Sequence, residues 1–366
     1  MFSTSKMLPA PPWLPHGIVA LKDRIPLRRA WSNTPQPADG GTGWQETSAA
    51  YETGASPAID VTERLQAVDN VRVSPAIYGD HLRGWAKMQE IILDFGPLDV
   101  SRPLVLALNG WLRFGGAMAN IAASQRPDLP FPFPTLFAEL PDGSWQVVDV
   151  AFGTPAGRTK SIVVDLEGKL PAETRRLKLT HAFELHWDEI ALHEKAPDAP
   201  LQITRLSPVW ADLHYRGFSH DANLDWTHPT TPVYDQVQLI PLVPKIPTGW
   251  TTRFGAVDEL LAAKDNAFVI INGGEELTVE FDAAALPPVP AGHERQFYLW
   301  SVGWDKDTDY YTVLGDRVGP YPWLGMDDQA YGDQPRPAFD SDELMRRHTT
   351  RWVGPHVPHR TEAAGR

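Results

Sequence analysis

The densest run of oxygen ligands in the chain is Asp305-Lys306-Asp307-Thr308-Asp309. Carboxylates at alternate positions can turn their oxygens to one side, and calcium is a hard cation that prefers such ligands. One expectation is therefore a calcium ion held by Asp305, Asp307 and Asp309, with Asp316 as a distant fourth ligand. The plainer expectation is a solvated polar loop with no cofactor at all. An EF-hand is excluded, because Tyr310 stands where the sharp turn requires Gly.

A second cluster comprises His214, His220, Asp221, Asp225 and His228. Imidazole and carboxylate together suit zinc or iron, but the spacing fits no recognised site, and Arg216 beside it disfavours a cation. Turn and surface polarity accounts for these residues more simply. His181 and His186 lie near a strand pattern and read as partly buried or edge histidines. No G-x-S-x-G elbow, Walker A loop, H-E-x-x-H or GxGxxG occurs, and 46 acidic residues leave any glycosidase pair unspecified. No catalytic residue is nominated.

The fourteen Trp are the other chemical resource, since each ring joins a large apolar body to one N–H donor. Trp85, Trp226 and Trp323 lie outside the clearest strands and are the candidate ligand-binding platforms, with a sugar face as the natural partner. Trp111 and Trp304 each follow a Gly and read as core plugs, with Gly110 and Gly303 permitting close backbone approach.

The composition limits what could position these groups. A net charge of -13 argues against nucleic acid, whose phosphates are held by clustered Lys and Arg. The absence of Cys excludes disulfides and thiolate sites. Pro9, Pro11 and Pro12 interrupt the first residues, so no signal peptide is visible, and no apolar run is long enough for membrane insertion. A cytoplasmic address is the default expectation. The 35 Pro and 28 Gly cut the chain into short elements, which favours strands over long helices.

An internal duplication organises those strands. VTERLQAVDNVRV (Val61 to Val73) matches VDELLAAKDNAFV (Val257 to Val269) at seven of thirteen positions. Each copy continues into an apolar strand, IILDF or LTVEF, and then into a second one ending in Gly-Trp, LVLALNGW or FYLWSVGW. Val61, Leu65 and Val68 share one face of a short helix that Asp60 can cap, and Asp-Asn turns follow. The expected fold is mainly β: two related β-sandwich, jelly-roll-like halves with short helices and extended termini. The expected boundaries are a Pro/Gly-rich arm (1–56), a first half (57–198), a connecting loop region (199–252), a second half (253–335) and an irregular tail (336–366).

The runs GPLDVSRPLVLALNGWL, PTLFAELPDGSWQVV, AGRTKSIVVDL and LTHAFELHWDEIAL resemble a region of large bacterial proteins carrying TPR or FG-GAP/VCBS repeats, some with an ASPIC/UnbV-type segment. HYRGFS, TTRFGAVDELL and PYPWLGM look like its continuation, so the likeness spans about residues 60 to 335. It implies architecture and no defined activity, and the chain carries none of those repeats. HWDEIALHE is also similar to the closing strand of galactose-binding-like sandwiches, a likeness of fold only. The expected function is a non-enzymatic binding or assembly module for carbohydrate or another protein, or a subunit of a larger complex. The alternative is a hydrolase or metal-dependent enzyme with its site between the halves, lined by Leu201 to Trp250.

Overall fold

The computed structural model describes residues 20–36, 58–79, 82–129, 133–150, 152–196, 202–222, 225–238, 247–306, 313–324 and 337–354. The chain is mainly β, with several antiparallel sheets and few short helices. Its strands are β1 (Leu21–Ile25), β2 (Arg29–Ser32), β3 (Ile59–Asp60), β4 (Trp85–Asp94), β5 (Leu104–Leu112), β6 (Thr135–Glu139), β7 (Trp145–Val147), β8 (Lys160–Asp165), β9 (Arg176–Phe183) and β10 (Leu185–Lys195). There follow β11 (Trp210–Tyr215), β12 (Phe218–Ala222), β13 (Thr231–Gln238), β14 (Gly249–Thr251), β15 (Gly255–Ala256), β16 (Glu275–Glu280) and β17 (Arg351–Val353). Two α-helices are described, α1 (Gly116–Ser124) and α2 (Glu343–His348). No described helix is long and apolar enough to cross a membrane.

The chain divides into two compact units. One contains Lys6–Leu201 and Asp221–Thr231. Its sheets run β1-β10-β5-β8 and β3-β2-β4-β9-β6-β7. Alternation explains why they share one core: Ile91 and Leu93 on β4 with Phe95 just after it, Leu177 and Leu179 on β9, and Leu104, Leu106 and Leu108 on β5 are all buried in one cluster. β10 closes that cluster with Leu185 and Trp187, then with Ile190 and Leu192. The change from odd to even core positions follows from a register slip between Trp187 and Glu189 in its pairing with β5. Gly110 fits the reading made from sequence, since a Cβ there would collide with the His186 carbonyl and lie 2.9 Å from the Trp187 ring.

The other unit contains Gln202–His220 and Pro232–Arg366. Its described sheets are β15-β11-β16 and β14-β17, over a smaller core of Ala211, Leu213, Val257, Leu260, Ala267 and Met345. β12 and β13 pair as a two-stranded ribbon.

The two matching sequence segments lie in sheets with the same hydrogen-bond register. Trp31 on β2 faces Asp60 and Ile92, as Asp212 on β11 faces Ala256 and Thr278. The Val61 amide donates to the Ala30 carbonyl at 2.9 Å, and the Val257 amide to the Ala211 carbonyl at 2.9 Å. Arg28 N to Asp94 O and Val209 N to Glu280 O match likewise, at 2.9 Å each. Asp69 then accepts from the Val71 amide, and Asp265 from the Ala267 amide. Thus β3-β2-β4 and β15-β11-β16 are three-stranded motifs of the same strand order and register.

Several expectations are corrected. The helix of the shared opening is a single 3-10 turn, Glu63–Leu65 or Asp258–Leu261, and Val68 is exposed rather than on its inner face. Asp60 binds the amide of Thr62 in a tight local turn and does not cap a longer helix. Within the expected arm, 1–56, residues 21–25 and 29–32 are strands; Ala30 and Ser32 are the inward residues of β2, too small to register as an apolar period. Region 199–252 is more than loop, for it holds β11, β12, β13 and β14. The tail contributes α2, whose Met345 is buried, and β17. FYLWSVGW forms no strand: Phe297 to Trp304 is irregular, and Trp304 is half-buried against Phe268. Trp111 and Trp304 therefore occupy unlike settings.

The two copies differ in how deeply they bury matching residues, which sets unequal costs of truncation. Leu93→Ala should cost about 2–5 kcal/mol, as buried Leu truncations do. Val279→Ala, at the matching but half-buried position, should cost clearly less. Urea unfolding of both variants checks the difference.

Candidate functional site

The expected ligand platforms separate on inspection. Trp85 is 3% exposed, packs on Phe183 at 5.2 Å between ring centroids, and cannot offer a face to a ligand. Its position at the start of β4, beside the α1 cluster of Leu82, Ala119 and Ala123, accounts for that burial. Trp226 and Trp323 are both half-buried. Asp305 lies on an exposed loop, while Asp307 and Asp309 lie outside the described residues. Among the described residues no three His, Asp or Glu side chains converge as metal ligands. His214 is engaged by Asp212 at 3.0 Å, with Glu276 at 3.5 Å, and Asp225 is engaged by His228 at 2.8 Å. Each histidine is thus occupied locally rather than aimed at a common ion.

The principal constellation was not anticipated. On β10, Glu184 just before the strand, His186 and Asp188 alternate with Leu185 and Trp187, so one face is acidic and basic while the other joins the core. The Asp188 carboxylate accepts from the backbone amides of Asp69 and Asn70 at 3.1 and 3.0 Å. Arg72 lies 3.7 Å from Asp188 and donates to Asn70 Oδ1, Thr159 Oγ1 and the Thr227 carbonyl. Burial pushes the Arg72 guanidinium below its usual range and the Asp188 carboxyl above its own. Both directions mean that desolvation outweighs their mutual attraction.

Beside this pair, His186 stacks on its cross-strand neighbour Trp111, with centroids 4.9 Å apart and planes 12° apart. Trp226 meets His186 edge-on at 5.3 Å, and Trp111 Nε1 donates to the Thr227 carbonyl at 2.6 Å. His186 Nδ1 lies 2.8 Å from Ser74 Oγ, and His186 Nε2 lies 3.7 Å from Glu184 Oε1. Glu184 is also bound by Arg113 and by the Gly84 amide. Serine, histidine and carboxylate therefore stand in the order of a nucleophile, a base and its orienting group. Access decides the chemistry. Ser74, His186 and Glu184 are 0%, 0% and 1% exposed, so no ester or glycoside reaches the hydroxyl. The network clamps the layer formed by residues 69–74 and 225–228 onto β10.

Glu184 and Asp188 went unread because a polar residue in a strand pattern normally signals the solvent side, and Arg72 and Ser74 because they lie in irregular chain with no period to read. The available signal was Glu184, His186 and Asp188 at places alternating with Leu185 and Trp187. A separate open cavity of about 500 Å³ lies beside Arg28, Arg29 and Arg64, but Asp60 and Glu63 share its wall and offset their charge.

No family model, curated protein or solved structure matches the chain.

The buried histidines make stability depend on acid. Burial lowers the His181 pKa to about 3 and lowers that of His186 in the same direction. The folded state thus holds them neutral while the unfolded chain takes up protons below about pH 6.5. Stability from these residues is complete above that pH and declines as pH falls toward 3. His181→Gln, which can still accept from Trp187 Nε1, should flatten the fall. Urea midpoints between pH 7 and 4.5 for both proteins provide the check, and an unchanged slope would contradict the assignment.

Proposed function

We propose that this chain is a non-enzymatic binding or assembly module whose recognition surface lies on the unit containing β11 and β16. One observation carries the reading: Phe297, Tyr298, Leu299 and Trp300 stand 71, 65, 79 and 74% exposed in one continuous run. Isolated apolar side chains on a surface are ordinary, but a contiguous apolar run marks an interaction site. Tyr and Trp bring large contact area at low entropic cost, which suits them to interfaces. Phe281 and Val289 add further exposed apolar surface in the same unit. The proposed partner is another protein; a carbohydrate stacked on Tyr298 or Trp300 is the competing ligand. The sealed Ser74–His186–Glu184 alignment favours a binding role over hydrolysis. The architecture is also compatible with the module its sequence resembles in large bacterial repeat proteins.

If these four side chains serve a partner rather than the fold, replacing them should be nearly neutral for folding. Leu299→Ser combined with Trp300→Ser should change stability by less than about 0.5 kcal/mol, the range for exposed positions. A large loss of stability would instead place them in the core. The purified chain should turn over nothing in a panel of glycosides and esters. Turnover that Ser74→Ala abolishes would overturn the binding reading.

A further inference from the structure

The two copies of the three-stranded motif have the same register and different neighbours. In β3-β2-β4, the carbonyl of Asp94 points to β2, accepting from Arg28 N, while the Phe95 amide points the other way and donates to Arg175 beside β9. The outer edge of β4 is thus filled by β9, in the pairing Ile91↔Leu179, Ile92↔Lys178, Leu93↔Leu177 and Asp94↔Arg176. In β15-β11-β16, the carbonyl of Glu280 likewise points to β11, accepting from Val209 N. Leu277, Val279 and Phe281 therefore direct their backbone groups outward, because successive residues of a strand alternate sides. Among the described residues no strand pairs with that edge.

Two further observations have the same cause. Ile91 and Leu93 are fully buried, whereas their counterparts Leu277 and Val279 are only half-buried. The run LVLALNGW lies in β5, held between β10 and β8, whereas its counterpart Phe297–Trp304 pairs with no strand among the described residues and remains irregular, with Phe297–Gly303 exposed. A strand that is apolar on both faces is stable only between neighbours. An open edge beside uncovered apolar surface is a template for a strand from elsewhere.

We propose that the outer edge of β16 accepts an antiparallel strand from a partner polypeptide, one in which apolar residues alternate with basic ones. The chemistry is set by the copy that is complete. β9 places Leu177 and Leu179 toward the core and Arg176 and Lys178 toward the opposite face, with Arg176 opposite Asp94 and Lys178 opposite Ile92. On β16 the matching outward positions are Glu280 and Glu276, with Thr278 between them. Glu276 is already held by Arg216, His214 and Tyr234, so the exposed Glu280 sets the preference: it favours a basic residue on the incoming strand and disfavours a second β16, which would bring like charges together. This inference rests on the binding-module reading and specifies the class of partner.

The test uses the intact chain and a labelled peptide with the sequence of Arg175–Phe183, RRLKLTHAF. Saturable binding is expected, with slowed amide exchange at Leu277 and Val279, and no binding by a scrambled peptide or one with Glu at the three basic places. Val279→Pro removes an outward amide while leaving the bonds to β11 in place, and should weaken binding at least tenfold. Glu280→Lys, a change at an exposed side chain, should weaken it severalfold and covers the case in which the proline variant misfolds. Equal binding of the scrambled peptide, or wild-type affinity in both variants, overturns the proposal. So does full protection of the Leu277 and Val279 amides in the chain alone, which would show the edge already occupied. Failure here without any hydrolytic turnover removes the basic-strand partner and leaves the broader binding role intact, whereas Ser74-dependent turnover removes both.

Discussion

Burying a carboxylate beneath a turn constrains the unit built on β10 more than any apolar contact does. Asp188 is wholly enclosed and holds the amides of Asp69 and Asn70, so the turn that closes the first repeat can rest on β10 in only one way. Arg72 then has to be enclosed as well, and its remaining donors oblige Asn70, Thr159 and the Thr227 carbonyl to be where they are. Apolar residues of the right volume would tolerate sliding; charged groups sealed from water do not, since each misplaced partner leaves an uncompensated charge. The desolvation of both ions indicates that this network contributes less to net stability than to the choice of one arrangement.

Trp111 and His186 extend the same constraint to segment 225–228. Their stacked rings form the floor, and the Trp226 edge and the Thr227 carbonyl are set against it. The chemistry of the cluster is therefore turned inward. A hydroxyl, an imidazole and a carboxylate in line would suggest catalysis in an open cleft, but here they are enclosed, with Ser74 hydrogen-bonded to His186 and Glu184 held by Arg113 and the Gly84 amide. Geometry alone does not make a reactive site; solvent and substrate must also arrive.

The sequence made some of this legible and hid the rest for physical reasons. Ile91, Leu93 and Phe95 alternate because one side of β4 is wet and the other dry, so that strand was readable, as was the repeat it belongs to. β2 was not, because Ala30 and Ser32 are buried by closeness of packing rather than by size. The acidic-basic face of β10 was hidden because polarity in a strand usually means water. Trp85 was misjudged as a possible platform, since a strand's first residue can be covered by a helix distant in sequence, here α1. FYLWSVGW carried a sound strand pattern, but pattern describes what a segment can do among neighbours and cannot supply the neighbours. The aromatic run that now carries the binding reading was thus visible in sequence for the opposite reason.

The slip in the pairing of β10 between Trp187 and Glu189 has a consequence for insertions and deletions. Ahead of it the odd-numbered residues Leu185 and Trp187 enter the core, and beyond it the even-numbered Ile190 and Leu192 do. Parity therefore changes once along the strand. Asp188 is the extra residue, without a partner on β5, so deleting it would restore plain alternation and keep Ile190 and Leu192 in phase with Trp187, whereas a deletion elsewhere between them and the slip would put them out of phase. The extra residue is therefore kept for its carboxylate, and lineages of this chain that lose the slip should also lose the charge of Arg72.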